Sequence, residues 1–310
     1  MTAVNRALML CVPLILFAAG GAWHVPENSD RTDATDDNGE VMLASLPRLP
    51  AWAHEGLPDF SGYSDTTERK VAFFSFLYPR IVLANSRILL EREYLESLTT
   101  KASLSDRELK WLSDQSQRLR VEAETGSEAQ FALLRKRLDA IPPSLILAQA
   151  ANESAWGTSR FAIEGNNLFG QWCFSRGCGL VPLSRADGAS HEVAKFSSPY
   201  QSVRSYIQNL NRHPTYQLVR DIRQQNREAD KPLSGIELAE GLLGYSERGE
   251  DYIKEIRSMI RYNNLAFYDR KFRALLGDRS AAHFEQLASA AEDTSLLPGA
   301  EGSIVSPFEG

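Results

Sequence analysis

One acidic residue, Glu153, stands where chemistry could use it. It lies near the end of the run Pro142-Pro-Ser-Leu-Ile-Leu-Ala-Gln-Ala-Ala-Asn-Glu-Ser-Ala-Trp-Gly157. Proline suits the first turn of a helix, where a missing N–H costs nothing, and Gly157 suits a C-terminal cap. Between them Leu145, Ile146, Leu147, Ala148, Ala150 and Ala151 leave almost no polar face, so the helix reads as buried. A carboxylate in its last turn meets the negative end of the helix dipole, and Trp156, three residues on, can shield it from water. Both effects raise a carboxyl pKa, as a general acid near neutral pH requires. Position alone leaves a second reading open, an exposed Glu at the tip of a core helix.

A turn-rich loop follows, Glu164-Gly-Asn-Asn-Leu-Phe-Gly-Gln-Trp172. A polar loop with aromatics beside a strained acid suits the lining of a sugar cleft, which makes Asn166, Asn167, Phe169 and Trp172 the substrate-binding candidates. Phe169 and Trp172 would equally suit plugging the core. Taken together, Ala148-Gln-Ala-Ala-Asn-Glu-Ser-Ala-Trp-Gly157 and Gly165-Asn-Asn-Leu-Phe-Gly170 resemble the signature of bacterial endo-β-N-acetylglucosaminidases of glycoside hydrolase family 73. The stretch from Ile141 to Pro182, with Trp172-Cys-Phe-Ser-Arg-Gly-Cys-Gly179, resembles the Bax-like branch of that family. The resemblance covers residues 141–268 and extends more weakly over the helices from Thr67. It implies a lysozyme-like fold, cleavage of the peptidoglycan glycan strand after N-acetylglucosamine, and Glu153 as general acid. Asn152 departs from the pattern, since relatives more often carry an apolar residue there, but it leaves the acid in place. The rival activities on such a fold are a muramidase or a lytic transglycosylase. A glycan-binding or assembly protein without catalysis is the rival from another class.

Glycoside hydrolysis ordinarily needs a second group opposite the acid. Glu192 is the best second carboxylate, because the resemblance places a functional acid on this predicted hairpin in several members; its other reading is an exposed strand Glu. Glu164 reads as loop surface and Asp187 as a turn residue before Gly188. Tyr245 follows the helix stop at Gly244. The resemblance puts a cleft-facing tyrosine in that loop, where a hydroxyl could orient an N-acetyl group or a water, although packing at a helix junction explains it as well. Tyr252 falls on the apolar stripe of its helix and reads as core. His191, His213 and His283 are isolated. Neither a Ser-His-Asp arrangement, zinc spacing nor a phosphate-binding glycine loop is present, so no metal or cofactor is expected.

The whole chain sets the frame. Its 310 residues allow a substantial core, and 43% hydrophobic with 24% charged residues is ordinary globular composition. A net charge of −6 without clustered Lys and Arg argues against nucleic acid as a partner. Arg6 followed by the apolar run Ala7 to Ala22 resembles a secretory signal peptide or an uncleaved signal anchor, which implies a periplasmic or exported protein touching the inner membrane only there. Cys11 lies inside that run as a bystander. Two cysteines remain, Cys173 and Cys178, and an exported compartment permits a disulfide between them. A metal pair and two free thiols are the alternatives; no His sits at ligand spacing.

The expected organisation is a signal segment over 1–22, an acidic flexible linker over 23–66, a helical segment over 67–126, a lysozyme-like domain over 127–276 and a polar tail over 277–310. From Thr67 the residues Val71, Phe74, Leu77 and Tyr78 repeat at helical spacing, with Pro79 expected to kink or break the helix before a second one from Ile81 to Leu98. Capping boxes at Ser105 to Glu108, Ser127 to Gln130 and Ser198 to Gln201 open further helices, and Ser234 to Glu237 another that ends at Gly244. Residues from Gln171 to Phe196 suggest a small irregular β-hairpin. The fold class is therefore mainly α, a lysozyme-like α+β domain with a small β lobe, preceded by a helical segment.

Overall fold

The computed structural model describes residues 46–183 and 191–298. The expected signal segment and the Asp187-Gly188 turn lie outside the described residues. The fold is mainly helical. Its helices are α1 (Thr66–Thr99), α2 (Asp106–Leu119), α3 (Glu128–Arg137), α4 (Pro143–Glu153), α5 (Arg160–Gly165), α6 (Pro199–Arg212), α7 (Gln217–Glu228), α8 (Gly235–Leu238), α9 (Glu250–Tyr262), α10 (Ala266–Leu275) and α11 (Ala281–Ala288). The strands β1 (Trp172–Cys173), β2 (Gly179–Leu180) and β3 (Glu192–Ala194) form an antiparallel sheet in the order β1-β3-β2.

The central element is α4, the helix that carries Glu153. Every residue from Pro143 to Ala151 is buried, against α1, α8, α9 and α10. Pro142 and Pro143 start it as the sequence predicts. Its first turn is capped from another helix, because Asp269 on α10 accepts from the Ser144 backbone N–H at 2.8 Å and its hydroxyl at 2.6 Å. Asn85 on α1 exchanges two hydrogen bonds with the backbone of Ile141, fixing the lead-in to the helix. At the far end the chain turns through three left-handed residues, Ala155, Trp156 and Gly157, at φ 49°, 60° and 77°. Only glycine adopts this region at no steric cost. A Cβ on Gly157 would also approach the Phe60 ring to 2.6 Å, so a side chain is excluded there twice over.

Three expectations need correction. Helix α1 runs uninterrupted through Pro79 for 34 residues. Proline removes one internal hydrogen bond, but the helix is buried without a break from Leu77 to Glu91, and surrounding packing holds it together. Length and composition would let α1 cross a membrane, yet 89% of its apolar stretch is buried within the fold, with Arg80, Arg87 and Glu91 among the buried residues. The described part of the expected linker is packed structure. Trp52, Ala53 and Phe60 are buried, and Trp52 Nε1 donates to the Ala290 carbonyl at 2.8 Å. The expected polar tail likewise places Phe284, Leu287, Ala288 and Leu296 in the core. Buried Arg80 explains how both segments are held: it donates to Trp52 O at 3.1 Å and pairs with Asp293 at 3.4 Å. Residues from Trp52 to Leu296 thus share one continuous core.

The caps expected at Ser105, Ser127 and Ser198 are present. Ser234 makes no side-chain cap; α8 is a single turn that passes into a 3-10 turn over Ala239–Leu242. In the β lobe the expected hairpin is a three-stranded sheet with β3 at its centre. Trp172 pairs with Val193, and Gly179 with Ala194. Gly179 is required by contact, since a Cβ there would stand 2.0 Å from the Val193 carbonyl oxygen.

Candidate active site

Glu153 is the last residue of α4, half-buried where the helix meets the β-lobe loop. Burial pushes its carboxyl pKa above the ordinary carboxylate value, against the hydrogen bonds it accepts from Tyr252 and Asn152. Tyr252 donates to Glu153 Oε1 at 2.7 Å, and Asn152 at 3.3 Å. Among the described residues none hydrogen-bonds Oε2. That oxygen looks toward Gly170, where an added Cβ would come within 3.9 Å. Gly170 has φ +64°, so a side chain there would be strained by the backbone, although a Cβ would only touch the acid at ordinary contact distance. One oxygen is therefore held and the other left open, an arrangement that suits donation of a proton from Oε2.

Beneath the carboxyl lies a buried polar chain. Tyr252 accepts from Gln149 Nε2 at 2.8 Å, and Gln149 Oε1 in turn accepts from Tyr206. Tyr206 stacks on Phe169 with ring centroids 4.1 Å apart. Tyr245 lies parallel to Tyr252 at 5.4 Å. Burial raises the pKa of Tyr206, Tyr216, Tyr245 and Tyr252, and the Glu153 charge adds to each rise. Burial keeps these phenols neutral and raises the carboxyl pKa, while the Tyr252 hydroxyl, by hydrogen-bonding the acid, favours its ionised form. Sequence reading misses Tyr252, because a tyrosine on an apolar stripe carries no sign of where its hydroxyl ends. The i, i+4 spacing of Gln149 and Glu153 on α4 was the available signal, since it puts both on one helix face.

The other expected site residues divide. Trp156 turns to α1, where it meets Phe74 at 5.3 Å and lies under Lys70 at 5.1 Å. The left-handed turn after Ser154 carries it there, and Tyr252 is the aromatic residue bonded to the acid. Asn167 is buried and uses its whole amide inside the loop, donating to Gln171 O and Ala194 O and accepting from the N–H groups of Phe169 and Gln171. Asn166 closes α5 in the left-handed conformation and joins Leu57 to Phe196. Phe169 is 2% exposed. Asn167 and Phe169 thus shape the loop from within and offer a glycan almost no surface, whereas Trp172 is 59% exposed and stacks on His191 at 4.3 Å. Gln171, beside Gly170, has a buried Oε1 with no partner among the described residues, an acceptor that sequence reading did not single out. The Tyr245 hydroxyl donates to the Phe169 carbonyl at 2.9 Å, so it fastens the loop to the acid's neighbourhood.

Glu192 differs from the expectation of a group facing the cleft. Only 5% exposed, it accepts from the N–H of Gly177 at 3.0 Å and of Gly179 at 2.8 Å. Its carboxylate is turned to the loop closed by the Cys173–Cys178 disulfide. Extended strand geometry sends successive side chains to opposite faces, and the register that pairs Cys173 with Glu192 aims this one inward. The two sulfurs and a Glu192 oxygen lie within 4.8 Å of one another, but sulfurs bonded to each other are not open metal ligands.

Replacing Tyr252 with Phe should move the alkaline limb of the activity profile upward in pH. The tyrosine hydroxyl favours the Glu153 carboxylate, so removing it leaves burial opposed by less and raises the pKa further. The limb read from kcat/KM against pH reports the free protein's acid. A limb that stays put, or moves down, would separate Tyr252 from the acid.

Comparison with known proteins meets this geometry. The family model described as mannosyl-glycoprotein endo-beta-N-acetylglucosaminidase matches residues 129–265, the segment from α3 to the end of α9. The chain is 35% identical over 208 residues to the protein named Protein bax of Escherichia coli (strain K12), covering 67% of this chain and 74% of that one. No solved structure matches.

Proposed function

The chain belongs to the glucosaminidase family, in its Bax-like branch, and on that premise we propose that it is a peptidoglycan hydrolase that cleaves the β-1,4-glycosidic bond after N-acetylglucosamine. The observation that carries this reading is the Glu153 carboxyl, raised in pKa, held at Oε1 by Tyr252 and open at Oε2 beside Gly170. Protonated, it gives its proton to the leaving glycosidic oxygen from Oε2 while Tyr252 fixes its orientation. Cleavage then leaves Glu153 as a carboxylate, to which the Tyr252 hydroxyl remains hydrogen-bonded. That bond counters the burial penalty at the moment the charge forms.

The second group of the reaction is drawn from the substrate or from water. Glu192 has both oxygens engaged by backbone N–H groups, so its role in this reading is to support the β lobe. The exposed Trp172 face suits stacking against a sugar ring. Digestion of purified sacculi tests the proposal. Soluble fragments are expected; intact sacculi coated with protein would instead mark a glycan-binding protein.

Such a substrate lies outside the cytoplasm. The apolar run from Ala7 to Ala22 and the Cys173–Cys178 disulfide support an exported protein. A reporter active only after export, fused after Asp65, should be active, and deletion of the residues before Trp23 should silence it. Activity confined to a cytoplasmic reporter would contradict this location.

A further inference from the structure

At the N-terminal end of α4, away from the acid, lies a cavity of about 620 Å3. Its volume falls within the range of pockets that hold small molecules, roughly 300–1,000 Å3. Pro142 and Pro143 form part of its wall. Glu153 closes the same helix ten residues after Pro143, about 15 Å away at the helical rise. The cavity is therefore separate from the site described above.

The lining has two parts. Leu89, Ile141, Phe272, Leu276 and Phe284 give it an apolar floor. Arg92, Arg227, Lys231, Arg273 and Arg279 bring five positive charges, against the carboxylates of Glu93, Asp230 and Asp269. Once the groups committed elsewhere are set aside, Lys231, Arg273 and Arg279 face only Glu93 and Asp230. Two of the five cations are committed, since Arg92 and Arg227 pair with buried Asp139 at 3.8 and 2.8 Å. Asp269 is committed as well, to Ser144 and the Gly235 N–H. Among the described residues no side chain hydrogen-bonds or ion-pairs with Lys231, Arg273 or Arg279. Arg273 and Arg279 act only through space, on Asp269 and Glu93 respectively.

We propose that this cavity binds a small carboxylate ligand with an apolar body, its carboxylate held by Lys231, Arg273 and Arg279 and its body on the Phe272–Leu276–Phe284 floor. A carboxylate matches the planar fork of arginine, and burying an apolar body adds affinity that a simple inorganic anion would lack. Two sources share this chemistry, the C-terminal end of a short peptide and a free monocarboxylate. The proposal does not rest on hydrolysis by Glu153.

Isothermal titration at pH 7 on the full chain tests it with three probes: N-acetyl-D-alanyl-D-alanine, its C-terminal amide, and hexanoate. Saturable binding of at least one of the two acids is expected, with the amide at least tenfold weaker than the peptide acid if the peptide binds. Preference for the peptide acid assigns a peptide terminus as the source, and preference for hexanoate a free monocarboxylate. The double substitution Lys231→Gln with Arg273→Gln should weaken the bound acid at least tenfold while the melting temperature stays unchanged, because neither side chain carries a structural bond. Failure of both acids to bind, equal binding of peptide acid and amide, or full affinity in the double variant would each overturn the proposal.

Discussion

Glu153→Gln is expected to lower glycan cleavage by at least about a hundredfold, the usual contribution of a positioned proton donor, while the protein still folds and still binds glycan. Gln keeps the shape of the side chain and can still accept from Tyr252, but it has no acidic proton to give. Stability supplies an independent check. The folded-state pKa of Glu153 is raised by burial, so the stability it contributes is fully present below the unfolded carboxyl pKa and is lost as pH rises through the folded value. Gln is neutral throughout. At pH 7 the variant should therefore melt at the same temperature as the wild type or higher, and any such gain should vanish when both are measured well below pH 4. A variant that cleaves at near wild-type rate would remove Glu153 from the reaction. One that is inactive and melts far lower at pH 7 would mean that Glu153 serves the fold instead.

The largest stability effect is expected at Asp139, at the opposite end of α4 from Glu153. This residue is 2% exposed and sits between α3 and α4. Arg227 grips it with two hydrogen bonds of 2.8 and 3.0 Å, and Arg92 and Arg223 lie 3.8 Å away. Those positive charges outweigh the burial penalty and hold its carboxyl pKa far below the ordinary value. Arg223 is buried too, and it also donates to the carbonyls of Asp139, Ala140 and Lys136, so the cluster fixes the chain just before Pro142. Asp139→Asn keeps the shape and leaves the arginines facing one another without their counter-ion. Breaking a buried pair in this way costs about 3–5 kcal/mol. Urea unfolding at pH 7 measures it. Because the folded pKa is depressed, the wild-type advantage should be present above the unfolded value near pH 4 and shrink as pH falls below it. A loss under about 1 kcal/mol at pH 7 would show that the arginines are satisfied without the carboxylate.

These two residues also mark what sequence could and could not show. Glu153 draws attention because a proline-started apolar helix with an acid in its last turn violates local preference, but position alone leaves a helix-tip Glu open, and it is the motif that follows it which favours the acid. Such violations stand out without any tertiary information. The caps at Ser105, Ser127 and Ser198 were legible for a similar reason, since each acts within one turn of chain. Asp139 carried no local sign, because its partners come from α1 and α7, distant in sequence. Periodicity places Tyr252 in the core, and it is buried, but its hydroxyl reaches the acid across 99 positions. Glu192 was expected at the cleft, whereas the strand register turns it to the disulfide loop. Trp52, Phe60, Phe284 and Leu287 fall in segments that read as polar, because composition there is polar and no helical or strand periodicity ties these residues to a longer apolar stripe. The surface that buries them belongs to elements far along the chain.

The central claim is that Glu153 protonates the bond that follows N-acetylglucosamine in the peptidoglycan strand. Its most direct test is mass spectrometry of the fragments released from purified, borohydride-reduced digests of sacculi by the wild-type protein. The account predicts reduced N-acetylglucosamine at the new ends, and no such fragments from Glu153→Gln. Reduced or 1,6-anhydro muramic acid at those ends, or release that persists undiminished in the variant, would contradict it.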